Sequence, residues 1–322
     1  MGPRRSRAVK VLLMYSPGPE HEVALREAAP AARFAVAADE RSAADLIRDA
    51  DVVLGNRFFL QSLPYAERLR WMQSNSAGVD LILSAGRALD GIVLTNARGV
   101  YDDEVSDHAV AMVLALARGL HHARDAQRER RWERMRLGTL RGRRALVLGW
   151  GGIGRGIARR LRAFGVDVEG TRRSARTDGE SDGFRVHPAE TWRARLPDTD
   201  ILALALPLTP ETRDMVGAAE LAALPSRALV VNVGRAQTLD EDALFAALRD
   251  GRLAGAGLDV LRDEPVPPNH PAWTAANLLL TPHVARSREE PPFRWEPLFV
   301  ENVRRYAADE PLVNVVDVHA GY

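Results

Sequence analysis

The sequence predicts an α/β protein of two parallel-sheet domains, one inserted into the other. Short apolar runs alternate with helix-length amphipathic stretches along nearly the whole chain, the pattern of βαβ units. The 322 residues exceed the length that one hydrophobic core usually serves, about 250–300 residues. The closing stretch, "PLFVENVRRYAADEPLVNVVDV", is too short to stand alone and is expected to rejoin the first domain.

The first domain is read from "AVKVLLMY", "HEVALREAAP", "ADVVLGN", "LRWMQSNSAG" and "GIVLTNA", in which strand-like and helical patterns alternate. From about 103 to 131 the chain keeps helical spacing and opens on acidic residues, as a helix N-terminus prefers, so one long helix is expected between the domains. A second series comes next: "RRALVLGW", "VDVEGTRR", "DILALALP", "ALVVNVGR", "GAGLDVL" and "NLLLTPH". These near-continuous apolar runs suit strands covered on both faces. Helices "IGRGIARRLRAFG" and "DEDALFAALRDGRL" lie between them, and "TRRSARTDGESDG" reads as a polar loop. The expected division is 1–103 with 288–322 for one domain, and 104–287 for the domain inserted into it.

Composition removes several function classes. Basic and acidic residues nearly cancel, 44 against 43, so no global field favours nucleic acid or an anionic membrane. The most basic stretch, "HHARDAQRERRWERMRLGTLRGRR", carries one aromatic, Trp132, and repeated acids, which does not make a phosphate-tracking surface. The absence of cysteine excludes disulfides, thiol nucleophiles and cysteine-ligated metal, and no metal site is expected. Lys10 is the single lysine; it heads an apolar run and sits in no P-loop or Schiff-base context. "VKVLLMY" is far too short for a signal-peptide core or a membrane span. Arg4, Arg5 and Arg7 before it read as a solvated tail, and the expectation is a cytoplasmic protein.

Gly149, Gly151 and Gly154 form G-x-G-x-x-G, with Gly152 as an extra glycine. Alone the pattern is weak. Here strand "RALVLG" precedes it, a helix comes after it and strand "VDVEG" closes the unit, the Rossmann-like context in which backbone N–H groups at a helix N-terminus seat a pyrophosphate. About 20 residues on, NAD sites carry an acid for the ribose 2′-hydroxyl. That place holds Thr171, Arg172 and Arg173, whose guanidinium groups suit a 2′-phosphate. Glu169 is a possible acidic partner one or two positions early. The reading is NADP(H) in preference to NAD(H), with NAD(H) possible.

Three later runs place polar residues at strand ends: Arg235 in "NVGRA", Asp259 and Glu264 in "GLDVLRDEP", and His283 in "TPHVA". With "SAGVD", "LPLTPET" and "FVENVRRY…EPLVNVVD", in this order, the chain resembles the D-isomer-specific 2-hydroxyacid dehydrogenases over essentially its whole length. The resemblance implies two Rossmann-like or flavodoxin-like domains and reduction of a 2-oxo acid to a D-2-hydroxy acid. Arg235 would grip the carboxylate and carbonyl, His283 would act as acid/base, and Glu264 would hold its ring. It extends the cofactor shell to Ile153, Pro207, Val233 and Asp259, and gives the backbone of Ala77 and Gly78 to the substrate carboxylate. It also implies a homodimer through an arm over 118–144, from which Trp132 would reach the partner's site. Glyoxylate or hydroxypyruvate is the default substrate. Phe58, Phe59 and Tyr65 in first-domain loops leave a bulkier acid open.

The chain departs from the family at Ala236, usually Gly, and at Ser106-Asp107-His108, usually Ala-Glu-His. Asp107 has the shorter reach, and His108 reads as a packing or hinge residue. Phosphite dehydrogenases of the family carry lysine at Ala77, and formate dehydrogenases carry glutamine at Glu264, which disfavours both alternatives. A redox-sensing NADP(H)-binding repressor is the remaining alternative, and it would not require His283.

Overall fold

The computed structural model describes residues 8–286 and 292–322. Arg4, Arg5, Arg7 and the expected junction at 287/288 lie outside the described residues. The chain divides into two compact units, Met1–Val100 with Arg288–Tyr322, and Tyr101–Ser287.

In the first unit, β1 (Lys10–Leu13), β2 (Arg33–Val36), β3 (Val52–Leu54), β4 (Trp71–Gln73) and β5 (Val93–Thr95) form one sheet. Every pairing is parallel, in the order β2-β1-β3-β4-β5. Helices α1 (Pro19–Ala28), α2 (Glu40–Ile47), α3 (Phe59–Ser62) and α4 (Asp80–Leu83) connect the strands. Asp39 starts α2 with a capping box, its carboxylate accepting the Ser42 N–H at 2.7 Å. Leu12, Met14, Val53, Met72 and Leu94 make the core with Ile47 and Phe59.

Residues 292–322 belong to this unit. A buried polar chain shows why: Asn302 Nδ2 donates to Gln73 Oε1 (2.7 Å) and to the Val313 carbonyl (3.0 Å). Gln73 Oε1 also accepts from Thr95 Oγ1 (2.8 Å), which itself accepts from Trp71 Nε1 (2.8 Å). An unpaired polar group in this interior would cost about 1–3 kcal/mol, so the segment that completes the chain is held specifically.

The second unit begins with α5 (Asp102–Ala117) and α6 (Leu120–Arg128). The single helix expected over 103–131 is therefore two. Gly119 adopts φ 59°, a left-handed conformation that glycine takes without strain, and the helix ends there. Beyond α6, residues 131–140 have no regular structure.

Its sheet contains β6 (Arg144–Leu148), β7 (Asp167–Arg172), β8 (Gly179–Ser181), β9 (Phe184–Pro188), β10 (Ile201–Leu204), β11 (Leu229–Asn232), β12 (Gly255–Leu258) and β13 (Leu278–Leu280). The order is β13-β12-β11-β10-β6-β7-β9-β8, parallel except for the β8–β9 hairpin. Helix α7 (Gly152–Ala163) comes after β6, α8 (Ala218–Ala223) precedes β11, and α9 (Glu241–Arg249) succeeds it. The hairpin overturns the polar loop expected over 171–183. Asp182 and Gly183 both take positive φ (57° and 75°), the conformation of an Asp-Gly two-residue turn. The apolar core lies on strands β6, β10, β11 and β12, with Trp192, Leu196 and Leu244 packed against them.

Among the described residues no helix is long and apolar enough to cross a membrane. Nor do they include a cluster of three or more His, Cys, Asp or Glu able to hold a metal ion. The final helix, α10 (Glu296–Ala307), packs on α1 in the first unit.

Candidate active site and cofactor loop

In the second unit the strand order reverses at β6, which lies between β7 and β10. Open parallel sheets bind ligands at such a point, beyond the C-terminal strand ends. The loop leaving β6 requires its glycines. Gly149 has φ +98°, and a Cβ there would lie 2.4 Å from the Ala205 carbonyl oxygen. A Cβ on Gly154 would lie 1.9 Å from the Gly149 oxygen. On Gly151 it would meet nothing within 4 Å, so this backbone faces open space. Gly151 is also the N-cap of α7, without a side-chain cap and with no acid in the first turn of α7. The N-terminal N–H groups over Gly152, Ile153 and Gly154 thus fit a pyrophosphate.

Helix α5 sits close on α7 because glycine permits it. Ser106 Oγ donates to the Ile153 carbonyl (3.0 Å), and a Cβ on Gly156 would fall 2.2 Å from that Oγ. Asp102 lies against Gly152 in the same way. Asp107 pairs with Arg160 of α7, and His108 Nε2 lies 2.9 Å from Thr281 Oγ1. These contacts tie α5 to α7 and to the segment after β13.

At the end of β7, Thr171 is buried and Arg172 and Arg173 are exposed. Glu169 is committed elsewhere: its carboxylate lies 3.0 Å from His187 Nε2, 2.9 Å from Arg185 and 3.3 Å from Arg195. The Thr209 hydroxyl, and more weakly Arg173, hold the Glu211 carboxyl below its ordinary range. Pro207 precedes this turn and its carbonyl accepts from Thr212 Oγ1 at 2.7 Å. Val233 is buried, its N–H bonded to the Leu204 carbonyl.

Arg235 leaves the end of β11 in a turn fixed by Asn232. That fully buried side chain donates to the Arg235 carbonyl (3.0 Å) and accepts the Gly234 N–H (3.0 Å). Thr238 Oγ1 also donates to the Arg235 carbonyl (2.7 Å), and Ala236 is buried. His283 leaves the end of β13 with φ +54°. Its Nδ1 lies 2.8 Å from Glu264 Oε2, while Glu264 Oε1 accepts the Leu261 N–H (2.9 Å). Asp259, expected at the cofactor, is 2 % exposed and organises the His283 turn. Its Oδ1 accepts from Thr281 Oγ1 (2.6 Å) and the Val284 N–H (2.9 Å), and its Oδ2 from the Ala285 N–H (2.9 Å).

In the second unit the glycine loop, Arg235, Glu264 and His283 thus each follow the C-terminal end of a parallel strand, and Glu264 and His283 are in contact. Ala77 and Gly78 lie in the first unit after β4, where the Ala77 carbonyl accepts from Asn96 Nδ2 (2.8 Å). Phe59 is not a pocket residue: it is fully buried in the first core, which α3 turns it into. Phe58 is half-buried and Tyr65 exposed. Trp132 is 96 % exposed. Sequence reasoning missed Asn232 and Thr281, which act on the backbone of the functional turns; their positions beside Arg235 and His283 were the available signal.

Fold and site define a dinucleotide-binding two-domain α/β oxidoreductase. The model of the "D-isomer specific 2-hydroxyacid dehydrogenase, NAD binding domain" matches residues 110–285, and the chain belongs to the D-isomer specific 2-hydroxyacid dehydrogenases. A glyoxylate reductase of Aeropyrum pernix is 34% identical over 283 residues, 84% of each chain. A crystal structure of a D-isomer specific 2-hydroxyacid dehydrogenase family protein from Aeromonas salmonicida is 32% identical, with a TM-score of 0.84 over 97% of this chain and 100% of that one. An NADPH-dependent glyoxylate/hydroxypyruvate reductase of Sinorhizobium meliloti, solved with NADP and sulfate, is 28% identical, with a TM-score of 0.83 over 98% and 100%. The chain is thus a dehydrogenase acting on the CH–OH group of a hydroxy acid.

Proposed function

We propose that the enzyme reduces a small 2-oxo acid to the D-2-hydroxy acid with NADPH, glyoxylate and hydroxypyruvate being the first substrates to consider. The pairing of His283 Nδ1 with Glu264 Oε2 carries this reading. It fixes the ring through one nitrogen and leaves Nε2 to give a proton to the substrate's carbonyl oxygen. When bound, the dinucleotide supplies the hydride to the carbonyl carbon. Arg235 binds the carboxylate and draws charge onto the carbonyl oxygen, and the same groups run the reverse oxidation. Asp259 and Asn232 hold the turns that present His283 and Arg235.

NADP(H) is favoured because Arg172 and Arg173 stand at the end of β7 while Glu169 is held in ion pairs. Relatives solved with NADPH or NADP support the same choice. Incubation with NADPH or NADH and a panel of 2-oxo acids, followed at the nicotinamide absorbance, tests both points. Turnover of glyoxylate or hydroxypyruvate with NADPH is expected; no turnover of any 2-oxo acid would overturn the reading. We further propose a homodimer through the 118–144 arm, supported by the exposure of Trp132. A monomer by light scattering would refute it.

A further inference from the structure

A cluster of charged side chains lies on β7 and β9, the strands joined by the segment that begins with Arg172 and Arg173. Residues 173–177 leave β7 and run exposed or half-buried to Asp178, before β8. The ring of His187, 5 % exposed on β9, stands between two carboxylates: Asp178 Oδ1 at 2.9 Å from Nδ1 and Glu169 Oε2 at 3.0 Å from Nε2. Arg195 joins the group through its ion pairs, Nε 3.3 Å from Glu169 Oε2 and Nη2 3.5 Å from Asp178 Oδ2. Arg185 binds Glu169 Oε1 at 2.9 Å. The hydrogen bond from His187 holds the exposed Asp178 carboxyl below its ordinary range. These side chains line a cavity of about 700 Å³, together with Arg144, Asp167 and Asp198.

We propose that Glu169, His187 and Asp178 form a clamp that determines cofactor choice. It pins the far end of the loop that begins with Arg172 and Arg173, His187 being held by Glu169 on one side and holding Asp178 on the other. The near end is fixed by the β7–β9 register, in which Arg172 pairs with Pro188 and Thr171 with His187. A loop held at both ends loses less conformational freedom when its arginines close on a phosphate. These are positioning residues; none is placed against substrate. The inference rests on the NADP(H) reading above.

Fluorescence titration of the intact enzyme with NADPH and with NADH, without substrate, tests the clamp. Asp178→Asn is the first variant, because an exposed residue changes stability little. His187→Ala is the second. The wild type is expected to bind NADPH at least about tenfold more tightly than NADH, a difference of about 1.4 kcal/mol. Asp178→Asn is expected to weaken NADPH binding several-fold and His187→Ala about tenfold, with NADH binding unchanged or tighter. A merely structural role would move both constants in parallel, and that result overturns the proposal. So does a ratio unchanged in Asp178→Asn, even where His187→Ala fails to fold. A wild type with no preference for NADPH refutes the cofactor reading and the clamp together; a preference that survives both variants refutes the clamp alone.

Discussion

The ends of β1 and β6 are the same topological place in two sheets, and they have opposite fates. Each strand opens its sheet and lies where the strand order reverses, so each has a crevice beyond its C-terminal end. After β6 the crevice is kept clear: Gly151 has no heavy atom within 4 Å of where a side chain would begin. After β1 it is filled. Tyr15, 7 % exposed, bears on Gly55, where a Cβ would lie 2.8 Å from the ring, and meets Trp295 edge-on at 4.7 Å. Its hydroxyl lies 2.8 Å from His21 Nε2. Topology makes the crevice, and the residues just past the strand decide whether it receives a ligand or becomes core.

The largest expected effect breaks the chemistry and spares the crevice. His283→Ala removes the proton donor and should lower kcat by about 10²–10⁴-fold. NADPH titration should be unchanged, because the glycine loop stands on a different strand. Unchanged turnover would remove histidine from the mechanism.

The next sharpens the comparison itself. Gly151→Val places a side chain in open space at φ −84°, which any residue adopts, so thermal stability should change little. Affinity for NADPH should nevertheless fall by about tenfold or more, since the new branch occupies the approach to the helix N-terminus. Gly55→Ala should do the reverse: with φ +92° and Tyr15 in contact it should destabilise the fold, with cofactor affinity retained in the folded fraction. Equal loss of affinity in both would mean that the two crevices are not distinguished by their glycines.

The strand ends were legible in the sequence because buried parallel strands read as apolar runs, and "NVGRA", "GLDVLRDEP" and "TPHVA" mark the polar turns beyond them. The features that escaped depend on partners distant in sequence. Glu169 meets His187 only because β7 and β9 pair in one register, and β9 lacks the continuous apolar run that marks the other strands. The Asp182-Gly183 turn carried a local hairpin signal, yet the polar residues around it read as a loop. Gly119 was tolerable inside a helical pattern, and its positive φ is a tertiary outcome. The bonds by which the Asp259 carboxylate holds the His283 turn are likewise a product of the fold, which spacing does not show.

The smallest effect concerns the filled crevice and is read by pH. Burial lowers the His21 pKa from 6.5 to about 4, so the folded protein holds the ring neutral where the unfolded chain takes up a proton. Stability therefore falls as pH drops from 6.5 towards about 4, with a slope approaching about 1.4 kcal/mol per pH unit. Among the described residues two titratable groups face this ring. The Tyr15 hydroxyl is pushed well up by burial, and then by Glu296, and does not titrate in the window. Glu296 Oε2 lies 4.0 Å from His21 Nδ1; burial raises its pKa, so its own contribution is present at low pH and is lost as pH rises, opposite in sign to that of His21. The two partly cancel in the wild type. Subtracting the stability of His21→Gln, measured by urea unfolding across about pH 4–7, isolates the histidine, and the difference should slope downward with acid. A flat difference would mean that the ring takes up its proton in place, and that the crevice after β1 is wetter than its aromatic filling implies.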